Sequence, residues 1–285
     1  MEYEGRICRA PGERASYMLP VSVGCAYNGC KFCGLFKDLT YRELPLEQIE
    51  EELQRVSRLG KTPARVYLGD GNAFHIKTER LVTILEMIRK YLPGVNEIRM
   101  DSTVPDIAAK SDEELKLLAS LNVKRLYLGI ESGLEDVLRF MNKCHTKEEA
   151  TRQIERLHAA GIGYAAHVMT GVAGKGRGEE NALALAEFLN ETRPQLLVNF
   201  SIFTGRLQPD IEKGTFARAS EVENLLEDAV LLSHITVPME VDCSHDLVQN
   251  RVWGRLPEDK EKLVRRLREL AAKVEAGEII ALEHL

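Results

Sequence analysis

Six short apolar runs alternate with amphipathic helix patterns, and that alternation restricts the chain to few folds. The runs are SYMLPVSVGC (17–25), ARVYLGDG (64–71), EIRMDST (97–103), RLYLGIES (125–132), YAAHVMTG (164–171) and QLLVNFSIF (195–203). They are rich in Val, Ile, Leu and Tyr and nearly continuous in apolar character, as strands of a covered parallel sheet are. In the first helix pattern Leu46, Ile49, Leu53 and Val56 form one stripe, with Pro45 near its start and Gly60 near its end. Others run from Glu79 to Leu92, before Pro93-Gly94, and from Glu179 to Thr192, before Pro194. Ser111 with Glu114, Thr146 with Glu149 and Ser220 with Glu223 have capping-box spacing. No repeat of fixed period is present. Six βα units are countable, where a closed barrel needs eight. After Phe203 the alternation fades. A helix near 220–235, a strand-like VPMEVDC (237–243), a polar SHDLVQNRVWGRL and a helix near 257–276 follow.

The chain has 285 residues, enough for one or two domains. Apolar residues are 44% and charged residues 29%, which excludes a disordered or low-complexity chain. A net charge of −6 gives no electrostatic footprint for nucleic acid or an anionic membrane. No apolar run reaches the roughly 18 residues of a membrane span. The charged start, MEYEGRICRAPGERASY, lacks the apolar core of a secretory signal, so a cytoplasmic location is expected.

Three of the six cysteines, Cys25, Cys30 and Cys33, fall within nine residues, CAYNGCKFC, directly after the first strand. In a reducing compartment a tight cluster points to metal or redox chemistry. A zinc ribbon needs a second Cys or His pair, and neither Cys144-His145 nor Cys243 with His245 forms one. A thioredoxin-like reading uses Cys30 and Cys33 and leaves Cys25 unexplained. Three thiolates suit an iron–sulfur cluster with one iron left open to a chelating molecule. Ligand count and spacing favour that reading, with zinc or redox binding as alternatives.

The motif resembles that of the radical S-adenosylmethionine (SAM) superfamily, whose members usually carry C-x3-C-x2-C after the first strand with an aromatic residue before the last cysteine. Phe32 stands in that place, and one extra residue separates the first two cysteines. Gly69-Asp70-Gly71 looks like the superfamily's glycine-rich segment, whose backbone holds the methionine amino group. Asp101-Ser102-Thr103 ends strand three, where Ser102 would reach the cofactor. The stretch from Leu128 to Ser132 and on to Thr146 is similar to that of oxygen-independent coproporphyrinogen oxidases and tRNA methylthiotransferases. By that likeness Glu131 contacts the ribose and Lys143 meets the methionine carboxylate. Val172 lies in a segment resembling the one along the adenine.

The resemblance implies an α/β fold, a partial (β/α)6 TIM-like barrel at 17–205 after an N-terminal segment 1–16, with a C-terminal α/β extension at 206–285 packed on it. It implies a [4Fe-4S] cluster on Cys25, Cys30 and Cys33, S-adenosyl-L-methionine, and a low-potential electron donor such as flavodoxin or ferredoxin. The implied reaction is reductive cleavage of SAM to a 5′-deoxyadenosyl radical, which abstracts hydrogen from a small-molecule or peptide substrate. The competing expectation is a non-catalytic zinc or redox protein using the same cysteines.

Other signals narrow the reading. Only 24 residues precede Cys25, too few for the extra three-cysteine domain of methylthiotransferases, and the length leaves no room for a cobalamin domain. Acidic charge disfavours tRNA. The Gly171–Gly176 segment lacks the spacing of a phosphate loop. His75, His167 and His245 read as structural histidines. Asn199 and Ser201 share a face, expected to be the barrel interior. Arg206 is a candidate for an anionic substrate, and Ser244-His245-Asp246 with Asn250 a candidate cover of the barrel mouth.

Overall fold

Each of the six apolar runs becomes a strand, because β-branched and aromatic side chains pack on both faces of a pleated surface. The computed structural model describes residues 4, 8–60, 63–245, 248 and 250–281. Its strands are β1 (Tyr17–Pro20), β2 (Ser22–Val23), β3 (Arg42–Glu43), β4 (Arg65–Gly69), β5 (Glu97–Ser102), β6 (Val123–Glu131), β7 (Gly163–Thr170), β8 (Leu196–Ser201), β9 (Met239–His245) and β10 (Asn250–Leu256). The main sheet has the order β1-β4-β5-β6-β7-β8-β9-β10. Neighbours are parallel from β1 to β6 and from β7 to β9, and β10 returns antiparallel on β9. The helices are α1 (Leu46–Ser57), α2 (Thr78–Tyr91), α3 (Val104–Ala108), α4 (Asp112–Ser120), α5 (Glu135–Phe140), α6 (Lys147–Ala159), α7 (Gly178–Thr192), α8 (Gln208–Glu212), α9 (Glu221–His234) and α10 (Lys260–Glu275). The mostly parallel α/β architecture is the one expected. The capping boxes before α4, α6 and α9 form as the spacing predicts, each Ser or Thr hydroxyl accepting an N–H at 3.2 Å. No helix among the described residues is long and apolar enough to cross a membrane.

The chain folds as two compact units. The first comprises Met1–Gly29, Cys33–Leu128 and Gln153–Tyr164. Here α1 buries Ile49, Leu53 and Val56, its predicted stripe. Leu19, Val66, Leu68, Met100 and Leu126 fill the core, each fully buried aliphatic side chain contributing about 1.5–3 kcal/mol. Tyr67 and Tyr127 meet edge to face with ring centroids 5.9 Å apart. Near the strand starts, the fully buried Glu13 accepts hydrogen bonds from Arg99 at 2.7 Å, from Tyr127 and from Ser16. Burial raises its pKa, but those donors outweigh it and hold the carboxyl below its ordinary value.

The second unit comprises Cys30–Phe32, Gly129–Arg152 and Ala165–Leu285. Its helix α9 packs against α7 and α10. Two expectations are corrected here. Ser244, His245 and Asn250 do not form a cover. Ser244 and His245 end β9, Asn250 begins β10, and Asp246 lies outside the described residues. In β10 Val252, Gly254 and Leu256 are buried and alternate with exposed Arg251, Trp253 and Arg255, the pattern of a half-buried edge strand. Asn199 and Ser201 share a face, but it is the one against α9. Ser201 Oγ donates to Glu221 Oε1 at 3.2 Å, and Asn199 Oδ1 accepts the Thr170 N–H at 3.1 Å. The opposite face carries His167 and Phe200, whose ring centroids are 6.0 Å apart. A strand buried on both sides carries no alternating polarity to mark which face is which.

Candidate functional site

In the first unit, the cysteine loop begins right after β2. Cys25, Cys30 and Cys33 are all half-buried, and none is in a disulfide among the described residues. The Asn28 N–H points at Cys25 Sγ, 3.5 Å away, from a left-handed backbone with φ 43° at Asn28. Such an N–H favours a thiolate, as a metal-bound cysteine is. Burial nevertheless holds the Cys25 thiol above its ordinary pKa, and iron binding would displace that proton. The Asn28 donor and three thiols outside any disulfide therefore fit an iron–sulfur cluster. A single zinc needs four ligands at about 2.0–2.3 Å. Among the described residues no three His, Cys, Asp or Glu side chains are arranged around one metal ion.

The turn after β4 carries this loop. A Cβ at Gly71 would lie 2.0 Å from the Gly24 oxygen and 2.8 Å from Cys25 Cα, and the residue has φ +56°. Only glycine lets the two backbones approach so closely. Ser22 Oγ donates to the Asp70 carbonyl at 3.0 Å. Next to it, Asn72 Oδ1 accepts the Ala26 N–H at 2.8 Å, and Asn72 Nδ2 donates to Asp106 Oδ2 at 2.7 Å. Asp106 also accepts from the Thr103 N–H at 2.9 Å and meets His75 Nδ1 at 2.7 Å. Thus Ala26, the β4 turn and the start of α3 form one hydrogen-bonded chain.

Ser102 donates its hydroxyl to the Thr103 carbonyl at 3.0 Å. Asp101, one residue earlier and so on the other face of β5, lies near Tyr67. Burial and the charges of Asp70 and Glu13 push Asp101 up to about 7, against the pull of Tyr67. Asp70 is buried, with Oδ1 lacking a partner among the described residues, and burial pushes it up to about 6. Cys8 joins them. Burial and the charges of Asp101, Asp70 and Cys33 push its thiol up to about 12.

In the second unit, the Lys31 N–H donates to the Met141 carbonyl at 2.9 Å, and Lys31 Nζ pairs with Asp210 at 2.9 Å. Phe32 packs on an apolar cluster that contains Val172, Met141, Met169 and Phe216, so two of the predicted cofactor residues share one wall. Lys143 Nζ lies 3.1 Å from Glu131 Oε1 and 5.9 Å from the Phe32 ring centroid. Burial lowers the Lys143 pKa, but Glu131, Cys30 and Cys144 outweigh it, and the ammonium is held charged. Glu131 ends β6 in the left-handed region with φ 64°. A Cβ at Gly129 would lie 2.4 Å from Glu131 Oε1 and 3.0 Å from Lys143 Nζ, so the glycine makes room for this ion pair.

Behind these turns Asn181 Oδ1 accepts from Ser132 Oγ at 2.6 Å and from the Gly133 N–H at 3.2 Å. Asn181 Nδ2 donates to Glu227 Oε1 at 2.7 Å, and Glu227 Oε2 accepts the Gly171 N–H at 2.8 Å. Burial pushes Glu227 up to about 7. His245 sits between Glu221 and Asp228, 3.1 Å from each, as a structural histidine. Burial opposes its charge, but the two carboxylates push its pKa up to about 9. Arg206 is exposed in the turn after β8.

Sequence reasoning missed Asn72, Asp106, Asn181 and Glu227. One signal was present: Thr103 and Asp106 stand at capping spacing. Glu227 and Asp228 also stand on the buried side of α9 among Leu225, Leu231 and Leu232.

Residues 19–189 match the model of the radical SAM superfamily. The heme chaperone HemW of Bacillus subtilis (strain 168) is 21% identical over 142 residues, 47% of this chain and 36% of the relative. The tRNA-2-methylthio-N(6)-dimethylallyladenosine synthase of Syntrophotalea carbinolica is 26% identical over 155 residues, 52% of this chain and 34% of the relative. The chain thus matches about a third of the length of these curated relatives. Among solved structures, coproporphyrinogen III oxidase (HemN) from Escherichia coli, a radical SAM enzyme, superposes with a TM-score of 0.56 at 15% identity. The match covers 92% of this chain and 52% of that one, and shows a shared fold.

Proposed function

The chain belongs to the radical SAM superfamily, whose enzymes use a [4Fe-4S] cluster and SAM, and on that premise we propose that Cys25, Cys30 and Cys33 hold the cluster. When bound, the cluster supplies the electron that splits the sulfonium of SAM to a 5′-deoxyadenosyl radical. The remaining chemistry falls to this chain's own residues. Gly69, Asp70 and Gly71 present backbone groups to the methionine amino group, and Ser102 stands at the neighbouring strand end. Lys143, whose ammonium form Glu131 favours against burial, is the donor for the methionine carboxylate. Glu131, turned back by its left-handed backbone, accepts from the ribose hydroxyls. Phe32 and Val172 supply an apolar wall for the adenine and keep water from it.

The observation that carries this reading is the Glu131–Lys143 pair beside Phe32, because a held cation and an acceptor lie next to the aromatic ring of a cysteine-loop residue. The substrate is a small molecule or a peptide, from which the radical takes hydrogen. The electron comes from a low-potential donor such as flavodoxin or ferredoxin. Among the described residues no three His, Cys, Asp or Glu side chains are grouped to favour the zinc alternative. The test is anaerobic reconstitution, iron and sulfide assay, and chromatography for 5′-deoxyadenosine after SAM and reductant are added. The expected result is a four-iron cluster whose EPR signal changes with SAM, and release of the nucleoside. A full cluster that neither responds to SAM nor releases 5′-deoxyadenosine overturns the proposal. So does equal release from a variant with Cys25, Cys30 and Cys33 all replaced by Ala.

A further inference from the structure

We propose that Asn181 and Glu227 are a coupled pair of positioning residues that set the backbone turns presenting Glu131 and Val172 to SAM. The inference rests on the functional reading above and names side chains outside it. Asn181 is fully buried on α7 and Glu227 is buried on α9. Their hydrogen bonds go to Ser132, Gly133, Gly171 and each other, beside the predicted cofactor residues in the chain. Between them they accept or donate four hydrogen bonds, all between 2.6 and 3.2 Å. Two come from the turn just after Glu131, and one from Gly171, the residue just before Val172.

The direction of each bond is forced. Gly133 and Gly171 offer backbone N–H groups, which only donate. Asn181 must therefore aim its oxygen at Gly133, which leaves its amide NH2 for Glu227. Glu227 must then accept with both oxygens, one from Asn181 and one from Gly171. Space is equally fixed. A Cβ at Gly133 would lie 2.3 Å from the Leu185 nitrogen, and one at Gly171 would lie 2.5 Å from Asn224 Oδ1. The two turns are thus pressed onto α7 and α9 and located by the polar pair. Buried groups of this kind are costly to leave unpaired, so the pair specifies one position for each turn.

This directionality makes a sharp test. In Glu227→Gln the new NH2 faces either the Asn181 NH2 or the Gly171 N–H, and one contact becomes donor against donor. In Asn181→Asp the new carboxylate keeps Ser132 and Gly133, but its second oxygen faces Glu227, acceptor against acceptor once both carboxyls are ionised at a pH well above the Glu227 value near 7. The exchange of both, N181D with E227Q, restores every bond. The carboxylate then on α7 accepts from Ser132, from Gly133 and from the amide NH2 introduced on α9, and the oxygen of that amide accepts from Gly171. The measurements are the SAM dissociation constant of the reconstituted protein by equilibrium dialysis and the melting temperature of the apo protein.

The expected result is that each single variant binds SAM about tenfold more weakly, the loss of one buried hydrogen bond, and that the double exchange returns within about twofold of the unmodified protein. Where a single variant fails to fold, the exchange carries the test alone: a folded exchange with restored affinity supports the pair. The inference is overturned if the exchange is as defective as the singles, or if both singles bind SAM unchanged. If the unmodified reconstituted protein binds no SAM, the functional reading itself has failed, and that outcome is visible before any variant is made.

Discussion

In the first unit Asn72 and Asp106 link Ala26 to Thr103, and the chain of bonds ends at His75, whose side chain is 47% exposed. In the second unit Asn181 and Glu227 link Gly133 to Gly171, with exposures of 0% and 4% and no outlet of that kind. Both use an Asn amide against a carboxylate to gather backbone N–H groups from turns at strand ends, where parallel sheets place their chemistry. They differ in what water can do. In the first, Ala26 is half-buried and His75 reaches solvent, so a lost partner is partly replaced. In the second, nothing replaces it. The same device is thus adaptable beside the cysteine loop and rigid beside the turns assigned to ribose and adenine.

The largest expected effect falls on the adaptable side, through backbone and not through hydrogen bonds. Gly71→Ala puts a methyl 2.0 Å from the Gly24 oxygen at a positive φ, and neither backbone can yield. The cost is about 3 kcal/mol, read as a lower melting temperature, and iron bound after reconstitution falls below half of normal. Full iron loading in this variant would show that the close approach at Gly24 does not shape the cysteine loop.

The second effect tests the rigid side through pH. His245 has its pKa raised to about 9 by Glu221 and Asp228. A raised histidine adds stability that is complete below its unfolded value near 6.5 and is lost as pH rises through 9. The loss is about 3 kcal/mol between pH 7 and pH 10. Asp70, pushed up to about 6, has largely ionised before that range, whereas Asp101 and Glu227, pushed up to about 7, finish ionising at its lower end, so the slope is read above pH 8. Denaturant melts at several pH values should show this slope in the natural protein and lose it in His245→Gln. An unchanged slope in the variant would move the titration elsewhere.

These residues also show how far the sequence could be read. The six strands and their C-terminal turns were legible, because buried parallel strands leave continuous apolar runs with glycine and polar punctuation. Cys25, Cys30 and Cys33 stood out by their local spacing, and Phe32 by its place in the motif the chain resembles. The two Asn–carboxylate pairs were not. Asn72 and Asp106 are 34 residues apart, Asn181 and Glu227 are 46 apart, and only tertiary folding brings such partners together. The orientation of Asn199 and Ser201 was misread because β8 is buried on both faces. Strand β10 was read as part of a polar segment because Arg251, Trp253 and Arg255 dominate its outward side, although Val252, Gly254 and Leu256 keep a period of two.

A direct comparison of the two pairs gives the third effect. Asn181→Ala strips partners from Ser132, Gly133 and Glu227, all buried or enclosed, and should cost about 3 kcal/mol. Asn72→Ala strips Ala26 and Asp106, and should cost about 1 kcal/mol because water reaches the half-buried Ala26 N–H. Equal losses in chemical denaturation would remove the distinction between an adaptable and a rigid pair.

The smallest expected change in stability carries the most specific change in binding. A Cβ at Gly129 meets only the tips of two side chains, Glu131 Oε1 at 2.4 Å and Lys143 Nζ at 3.0 Å. Both can swing aside, so Gly129→Ala should cost under about 1 kcal/mol of stability. The ion pair cannot keep its place, however, and the groups assigned to the ribose and the methionine carboxylate move together. SAM affinity in the reconstituted protein should fall about fivefold, with iron content unchanged, because the cysteine loop is untouched. Weaker binding with full iron separates two roles: the Gly71 turn shapes the loop that takes the metal, and the Glu131–Lys143 pair places groups that take SAM. If Gly129→Ala instead lowers iron content and leaves SAM affinity intact, Glu131 and Lys143 serve the cysteine loop, through the charge that Lys143 shares with Cys30.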